Sequence, residues 1–329
     1  PPAKAQEIIS AGDVPLGTQG NLFGITGGEG TGKSNYVAAI VAGCICPAGA
    51  EVDTLGIQIT ANGRHKAVLL YDTEQSEVQL FKNVSNLLAR AKQPDKPDEL
   101  KAFCLTGMSR KERLNAIVQS MDKFYYQYGG IQLVVIDGIA DLVKSANDEA
   151  ESVAVIDELY RLAGIYNTCI LCVLHFVPNG LKLRGHLGSE LQRKAATILS
   201  IEKDEEPAQS VVKALKVRDG SPLDVPLMLF AWDKEAGMHV YKGEKPREEK
   251  EKRKERELVN VARDIFGRQT RITYIDLCEQ LQQVLDIKER TAKSYIRFMR
   301  ERDIITKDTA NQSCFVIGSY NLQRNASCP

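Results

Sequence analysis

The sequence has no excess of either charge: 43 Lys and Arg face 43 Asp and Glu. A uniformly basic surface for nucleic acid is therefore excluded, and any such surface must be local. No apolar run approaches the ~20 residues that a membrane helix needs, and no basic lead with an apolar stretch opens the chain. No membrane partner and a cytoplasmic location are the expectations. Because the first residue is Pro1 rather than Met, the chain is expected to have been trimmed or processed. Its eight cysteines lack zinc spacing: Cys44-Ile-Cys46 and Cys169-x-x-Cys172 are the close pairs, and neither has a second Cys/His pair at ligand spacing. Alternation along the apolar run CILCVLH would put Cys169 and Cys172 on opposite faces of a strand, so all eight read as reduced structural residues.

What is present is enough for a large core and a second unit. The chain has 329 residues, 43% hydrophobic and 26% charged, as in a soluble globular protein. Its organising stretch is Asn21 to Ser34, NLFGITGGEGTGKS. The apolar run Leu22 to Ile25 reads as a buried strand; Gly27, four residues, then Gly32-Lys33-Ser34 follow it, and SNYVAAIVA continues as a helix from Ser34 to Ala42. Such a turn points successive backbone N–H groups at phosphate oxygens, reinforced by the positive end of the helix dipole. Gly27, Gly28, Glu29, Gly30, Thr31, Gly32, Lys33, Ser34 and Asn35 form the expected nucleotide cradle. Lys33 reaches the β- and γ-phosphates and the Ser34 hydroxyl ligates Mg²⁺, so ATP and Mg²⁺ are the expected cofactors.

Two further strands end in acids. Ala67 to Tyr71 delivers Asp72-Thr73-Glu74, and Ser76 with Gln79 forms a capping box for a helix from Glu77 to Lys92. Glu74 suits a carboxylate that polarises an attacking water; the plainer reading is that Asp72 and Glu74 favour a helix N-terminus by charge. Ile131 to Ile136 runs into Asp137, a carboxylate placed to hold the water shell of Mg²⁺. Gly138 to Ser152 is polar and reads as a loop, followed by a helix from Val153 to Tyr166. The strand Thr168 to Leu174 ends at His175, which reads either as a hydrogen-bonded structural residue or as a sensor of the γ-phosphate.

Phe176 to Lys194 breaks periodicity and interleaves glycines with Lys182, Arg184, His186, Arg193 and Lys194. A basic loop beside an ATP site is a candidate grip on a single-stranded phosphate backbone; the alternative is an ordinary surface loop. Strands at Ala196 to Glu202, Ser210 to Val217 and Val225 to Ala231 follow, with Lys216 and Arg218 at the end of the middle one, where a ring would let them reach a neighbour's γ-phosphate. Lys242 to Glu257 is nearly pure mixed charge and reads as a linker between residues 1–241 and 258–329. In the last segment Leu258 to Phe266, Thr273 to Leu285 and Lys288 to Arg302 read as helices, and Ile304-Ile305 pairs with Ser313 to Ile317 as a wing. Lys288 to Arg302 holds six bases and two acids, with Lys293, Arg297 and Arg300 on one face. That pattern fits a recognition helix on duplex DNA, although the same fold also serves as a protein-contact module.

In this order, Gly27-x4-Gly32-Lys33-Ser34, Tyr71 to Glu74, IQLVVID, a strand ending at His175, and Lys216-x-Arg218 resemble the RecA-like ATPases over roughly Asn21 to Asp233. Within them the set looks most like the hexameric plasmid helicases of the RepA type and the related DnaB and KaiC branches. The resemblance implies an α/β RecA-like P-loop core. It implies Glu74 as base, Asp137 for the metal and His175 as sensor, with Arg218 or Arg184 as the arginine finger in a homohexameric ring. A C-terminal winged helix departs from the replicative helicases. Similar architectures occur on mobilisable elements and phages, which implies a DNA motor of replication or mobilisation; an ATP-switched DNA-binding regulator is the other expectation.

Overall fold

The computed structural model describes residues 4–175, 185–204, 208–246, 248–267 and 269–319. They divide into two compact units, Pro1–Lys245 and Pro246–Pro329. No described helix is long and apolar enough to cross a membrane.

The larger unit is built on a nine-stranded sheet. Strands β3 (Asn21–Gly27), β5 (Ala67–Asp72), β6 (Leu100–Cys104), β7 (Ile131–Asp137), β8 (Cys169–His175) and β9 (Thr197–Lys203) run parallel in the order β9-β3-β8-β7-β5-β6. Antiparallel strands β10 (Gln209–Val217), β11 (Leu227–Asp233) and β12 (Met238–Lys245) extend it beyond β9. The apolar runs are continuous because both faces are covered. On β8, Cys169, Leu171 and Val173 pack with helices α1 (Lys33–Ile45) and α2 (Glu77–Arg90). Ile170, Cys172 and Leu174 pack on the other side with α3 (Arg110–Tyr128), α4 (Glu149–Ile165) and α5 (Gly185–Lys194). Cys169 and Cys172 thus lie on opposite faces, and burial pushes both thiols up, Cys172 to about 12. The cysteines among the described residues are free.

Helix ends follow local chemistry. Ser109 and Glu112 form a reciprocal capping box at α3, and Asp148 caps α4 by accepting from the Glu151 N–H. At α2 only half of the expected box forms: Ser76 accepts from the Gln79 N–H, while the Gln79 side chain donates to Asn83 instead.

Four stretches depart from the sequence reading. Residues before Gly20, whose sequence shows little periodicity, nonetheless form a hairpin of β1 (Glu7–Ala11) and β2 (Val14–Thr18), joined by β4 (Gln58–Ile59) in a second sheet. Its Ile8 and Ile9 are fully buried in the core. The polar stretch after Asp137 holds a 3₁₀ turn, Ile139–Leu142, and the first turn of α4, because Ile139 and Leu142 find apolar cover. The expected loop through Lys194 becomes helix α5 from Gly185 onward, since Leu187 and Leu191, four apart, bury one stripe. The remainder of that loop, with Lys182 and Arg184, lies outside the described residues.

The charged run Lys242–Glu257 does contain the boundary between the two units, but it is strand and helix rather than a free linker. Its start completes β12, where Lys245 pairs with Leu227, and its end lies in α6 (Glu248–Phe266). Charges alternate with half-buried positions on the strand, which hid it in the composition.

The smaller unit comprises α6, α7 (Tyr274–Leu285), α8 (Glu289–Glu301) and an antiparallel sheet in the order β13 (Ile272–Thr273), β15 (Cys314–Ile317), β14 (Ile305–Lys307). Ala292, Ile296 and Met299 of α8 join Leu258, Ala262, Leu277, Leu281 and Phe315 in a core of its own. Residues 246–329 produced alone should therefore fold, with helical circular dichroism and a cooperative thermal transition. Ile296→Ala should cost about 2–5 kcal/mol of that transition; an unstructured segment would contradict the independence of this core.

Candidate nucleotide site

Parallel register brings four strand ends to one edge. Gly27 is opposite His175, Asp137 opposite Val173, and Asp72 opposite Asp137. Ligands of open α/β sheets bind at this carboxyl edge. From Gly27 the chain turns through Gly28 to Gly32 into α1, with the Thr31 hydroxyl closing the loop onto the Gly28 carbonyl at 3.0 Å. Gly32 caps α1 with φ +94, and a Cβ there would sit 2.8 Å from the Phe230 ring, so both conformation and space demand glycine. Lys33 is buried, and its Nζ donates to the carbonyls of Gly27 (2.9 Å) and Gly28 (2.7 Å). Burial lowers its pKa, opposed by the charges of Asp137, Glu74 and Glu29.

The acids face this lysine. Asp72 is held by its own turn, accepting from the backbone N–H groups of Glu74 (3.0 Å) and Gln75 (2.8 Å). This turn fixes the backbone that carries Glu74 ahead of α2. The Glu74 carboxylate lies 3.1 Å from His175 Nε2. Thr73 laces the two acidic strands together: its hydroxyl donates to the carbonyls of Asp137 (3.0 Å) and Gly138 (2.8 Å). Gly138 has φ +101, and a Cβ there would lie 2.4 Å from Thr73 Oγ1 and 2.6 Å from Glu74 Cγ. The Glu74 side chain crosses over a bare backbone. Burial first, then the charges of Asp72 and Glu74, push the Asp137 carboxyl up to about 7, against the pull of Lys33 and His175.

Glu29, Gly30, Thr31, Gly32, Lys33, Ser34, Asn35, Glu74, Gln75, Asp137, His175 and His239 border one cleft of about 300 Å³. Exposed Ser34 and Asn35 open to it at the start of α1. No group of three His, Cys, Asp or Glu side chains among the described residues forms a metal cage by itself. That donor set fits Mg²⁺ held largely by nucleotide oxygens and water, with the Ser34 hydroxyl and Asp137 carboxylate as the chain's contributions.

Other expected residues lie elsewhere. Lys216 Nζ donates to the carbonyls of Gln192 (2.6 Å) and Arg193 (3.1 Å), and Arg218 donates to that of Lys194 (2.9 Å). Both cap the C-terminus of α5, and neither borders the cleft of its own chain. Arg193 pairs with Glu190 at 2.6 Å, and Lys194 with Asp157 at 2.8 Å. In the smaller unit Lys293 pairs with Glu289 and Arg297 with Glu301, while Arg300 lies 5.9 Å from the Phe315 ring centre. His239 escaped the sequence reading because its strand lies at the start of the charged run and no motif marks it.

The raised Asp137 gives a sign for pH. A folded pKa of about 7 above the ordinary 3.8 means that the native state binds the extra proton, so this contribution is present below about pH 4 and lost as pH rises through 7. Without nucleotide, the protein should lose about 2–4 kcal/mol between pH 5 and 8 from this group. Asp137→Asn should flatten that part of a pH series of chemical denaturation; an unchanged slope would refute the assignment.

The family model for the AAA domain matches residues 1–179, more than half of the 329-residue chain. Comparison with curated proteins gives no match. With a phosphate loop, two acidic strand ends and a histidine converging on one cleft, the chain belongs to the AAA-domain family of P-loop ATPases.

Proposed function

We propose that this ATPase is a ring-forming DNA motor of the RecA-like, RepA/DnaB type, acting on single-stranded DNA in the replication or mobilisation of a mobile element. The observation that carries hydrolysis, rather than nucleotide binding alone, is the Glu74–His175 pair at 3.1 Å on the rim of the phosphate cleft. Glu74 orients the attacking water and takes its proton, and His175 holds that carboxylate in place and responds to the γ-phosphate. Lys33 leaves the carbonyls of Gly27 and Gly28 for the phosphates, a lateral move for an ammonium already partly desolvated. Bound Mg²⁺ supplies charge neutralisation on the phosphate oxygens. An arginine from the neighbouring subunit, Arg218 or Arg184, stabilises the transferring phosphoryl group, a contribution of ~10³ or more in rate.

The smaller unit is read as a winged helix, with α7 and α8 as the helix-turn-helix and β14 and β15 as the wing. Lys293 and Arg297 are tied by exposed pairs within α8. Such pairs are worth a few tenths of a kcal/mol, so DNA phosphates displace them readily. A second reading, an ATP-switched DNA-binding regulator, is favoured by one observation: Lys194 is largely covered and held at 2.8 Å by Asp157 of α4, so it offers little to a sliding strand.

Steady-state ATP hydrolysis with and without single-stranded DNA separates the two. The motor reading expects strong stimulation that Glu74→Gln abolishes; slow hydrolysis indifferent to single strands would sink it in favour of the regulator. For the smaller unit, Lys293→Ala, Arg297→Ala and Arg300→Ala together should reduce the salt slope of duplex binding by about 2–3 while leaving basal hydrolysis intact. An unchanged slope would remove α8 from the DNA interface.

A further inference from the structure

The residues suited to phosphate chemistry reach the cleft from one side of the sheet. Glu74, Gln75, Asp137 and His175 stand at the ends of β5, β7 and β8, all on the same side of the phosphate-loop strand β3. His239 alone comes from the opposite side, on the edge strand β12. A nucleoside triphosphate with its γ end at Glu74 and His175 directs its base toward that edge. Whatever holds the base must stand there.

An aromatic ladder does. Tyr36 of α1 packs on Phe230 with ring centres 5.8 Å apart, Phe230 meets His239 edge-on at 5.7 Å, and His239 meets Trp232 edge-on at 5.5 Å. Phe230, Trp232 and His239 share one face because Trp232 is opposite His239 in the β11–β12 register and Phe230 is two residues before Trp232. The ladder starts beneath the phosphate loop, where Phe230 fills the space that a Cβ on Gly32 would need. It ends in solvent: Tyr36 and Phe230 are fully buried, whereas Trp232 is 54% exposed. A large aromatic left half in water beside a concave cleft offers apolar area that only a ligand or partner would cover.

The His239 ring is also held and unsatisfied. Arg90 bridges the carbonyls of His239 and Asp53, fixing the strand backbone. Among the described residues, Nδ1 of the ring is buried without a hydrogen-bond partner. Burial, with the charges of Lys203 and Arg90, lowers its pKa, which keeps the imidazole neutral and suited to lie against an uncharged base.

We propose that His239 and Trp232 form the shelf for the nucleotide base, with His239 on the cleft wall and Trp232 closing its outer edge. This rests on the reading of the cleft as a nucleoside triphosphate site. A shelf made of ring faces and edges reads area rather than a hydrogen-bond pattern. It selects purines over pyrimidines and discriminates weakly between adenine and guanine.

Trp232 is the one tryptophan of the chain, so its emission reports on the shelf directly. The full chain is titrated with the magnesium complexes of ATP, GTP, CTP and inorganic tripolyphosphate, following tryptophan fluorescence, while equilibrium dialysis measures binding independently. ATP and GTP should change the emission saturably, CTP should bind more weakly, and tripolyphosphate should bind without changing it. His239→Ala, and Trp232→Ala at an exposed position that spares the fold, should each weaken ATP about tenfold and leave tripolyphosphate unaffected. ATP that binds in dialysis without altering the emission, and with equal affinity for both variants, overturns the shelf. If neither ATP nor tripolyphosphate binds, the nucleotide reading of the cleft fails, and the shelf with it.

Discussion

Everything at the site depends on the register of four parallel strands. Because β3, β8, β7 and β5 are paired so that Gly27, His175, Asp137 and Asp72 finish at one level, groups as far apart in sequence as Glu74 and His175, separated by 101 residues, face a single cleft. A slip of one residue would turn each of these side chains to the opposite face. The apolar alternation within each strand guards against such a slip, since it divides the core into two clusters that a shifted strand would exchange. The hydrophobic core and the chemistry are therefore set by the same hydrogen bonds.

The second constraint is electrostatic. Asp72, Glu74 and Asp137 are gathered near one buried lysine, and the arrangement keeps Asp137 against its own preference for the charged form. Asp72 meets part of its cost by accepting two backbone N–H groups, which is why it can stay close to Glu74. Glu74 in turn leans on His175. Such a cluster is a poor way to stabilise a fold and a good way to receive a cation with a polyanion.

How much of this was legible in the sequence follows from the range of the interactions concerned. The phosphate loop, the acidic ends of β5 and β7, and His175 were visible because each is a local motif at the end of an apolar run. The two faces of β8 followed from alternation, which places Cys169 and Cys172 apart without any knowledge of the partners. What stayed hidden was non-local. The β1–β2 hairpin is recognisable only once β4 pairs with it, some 50 residues later. Strand β12 is masked by Lys242, Glu244 and Lys245, which make its second half read as part of the charged run. Helix α5 begins at two glycines that weaken its propensity, and burial of Leu187 and Leu191 overrides them. His239 had no signal of its own, because its meaning comes from the position of its strand across the sheet.

Lys216 and Arg218 are both engaged within their own chain, and that engagement ties β10 to a helix. The two cations, Lys216 near the end of β10 and Arg218 just past it, both settle on the last carbonyls of α5. At its other end α5 is tied to the segment after Asp137, where the Leu187 N–H donates to the Ala146 carbonyl at 3.0 Å. The helix is thus a strut about 15 Å long between the acidic strand and β10. A cation at an exposed helix C-terminus contributes ~0.3–1 kcal/mol. Arg218 is exposed, with one carbonyl as its tether, and Lys216 keeps two carbonyls when Arg218 leaves. Arg218 is thus the weaker of the two caps, and Lys216 by itself holds the end of the strut.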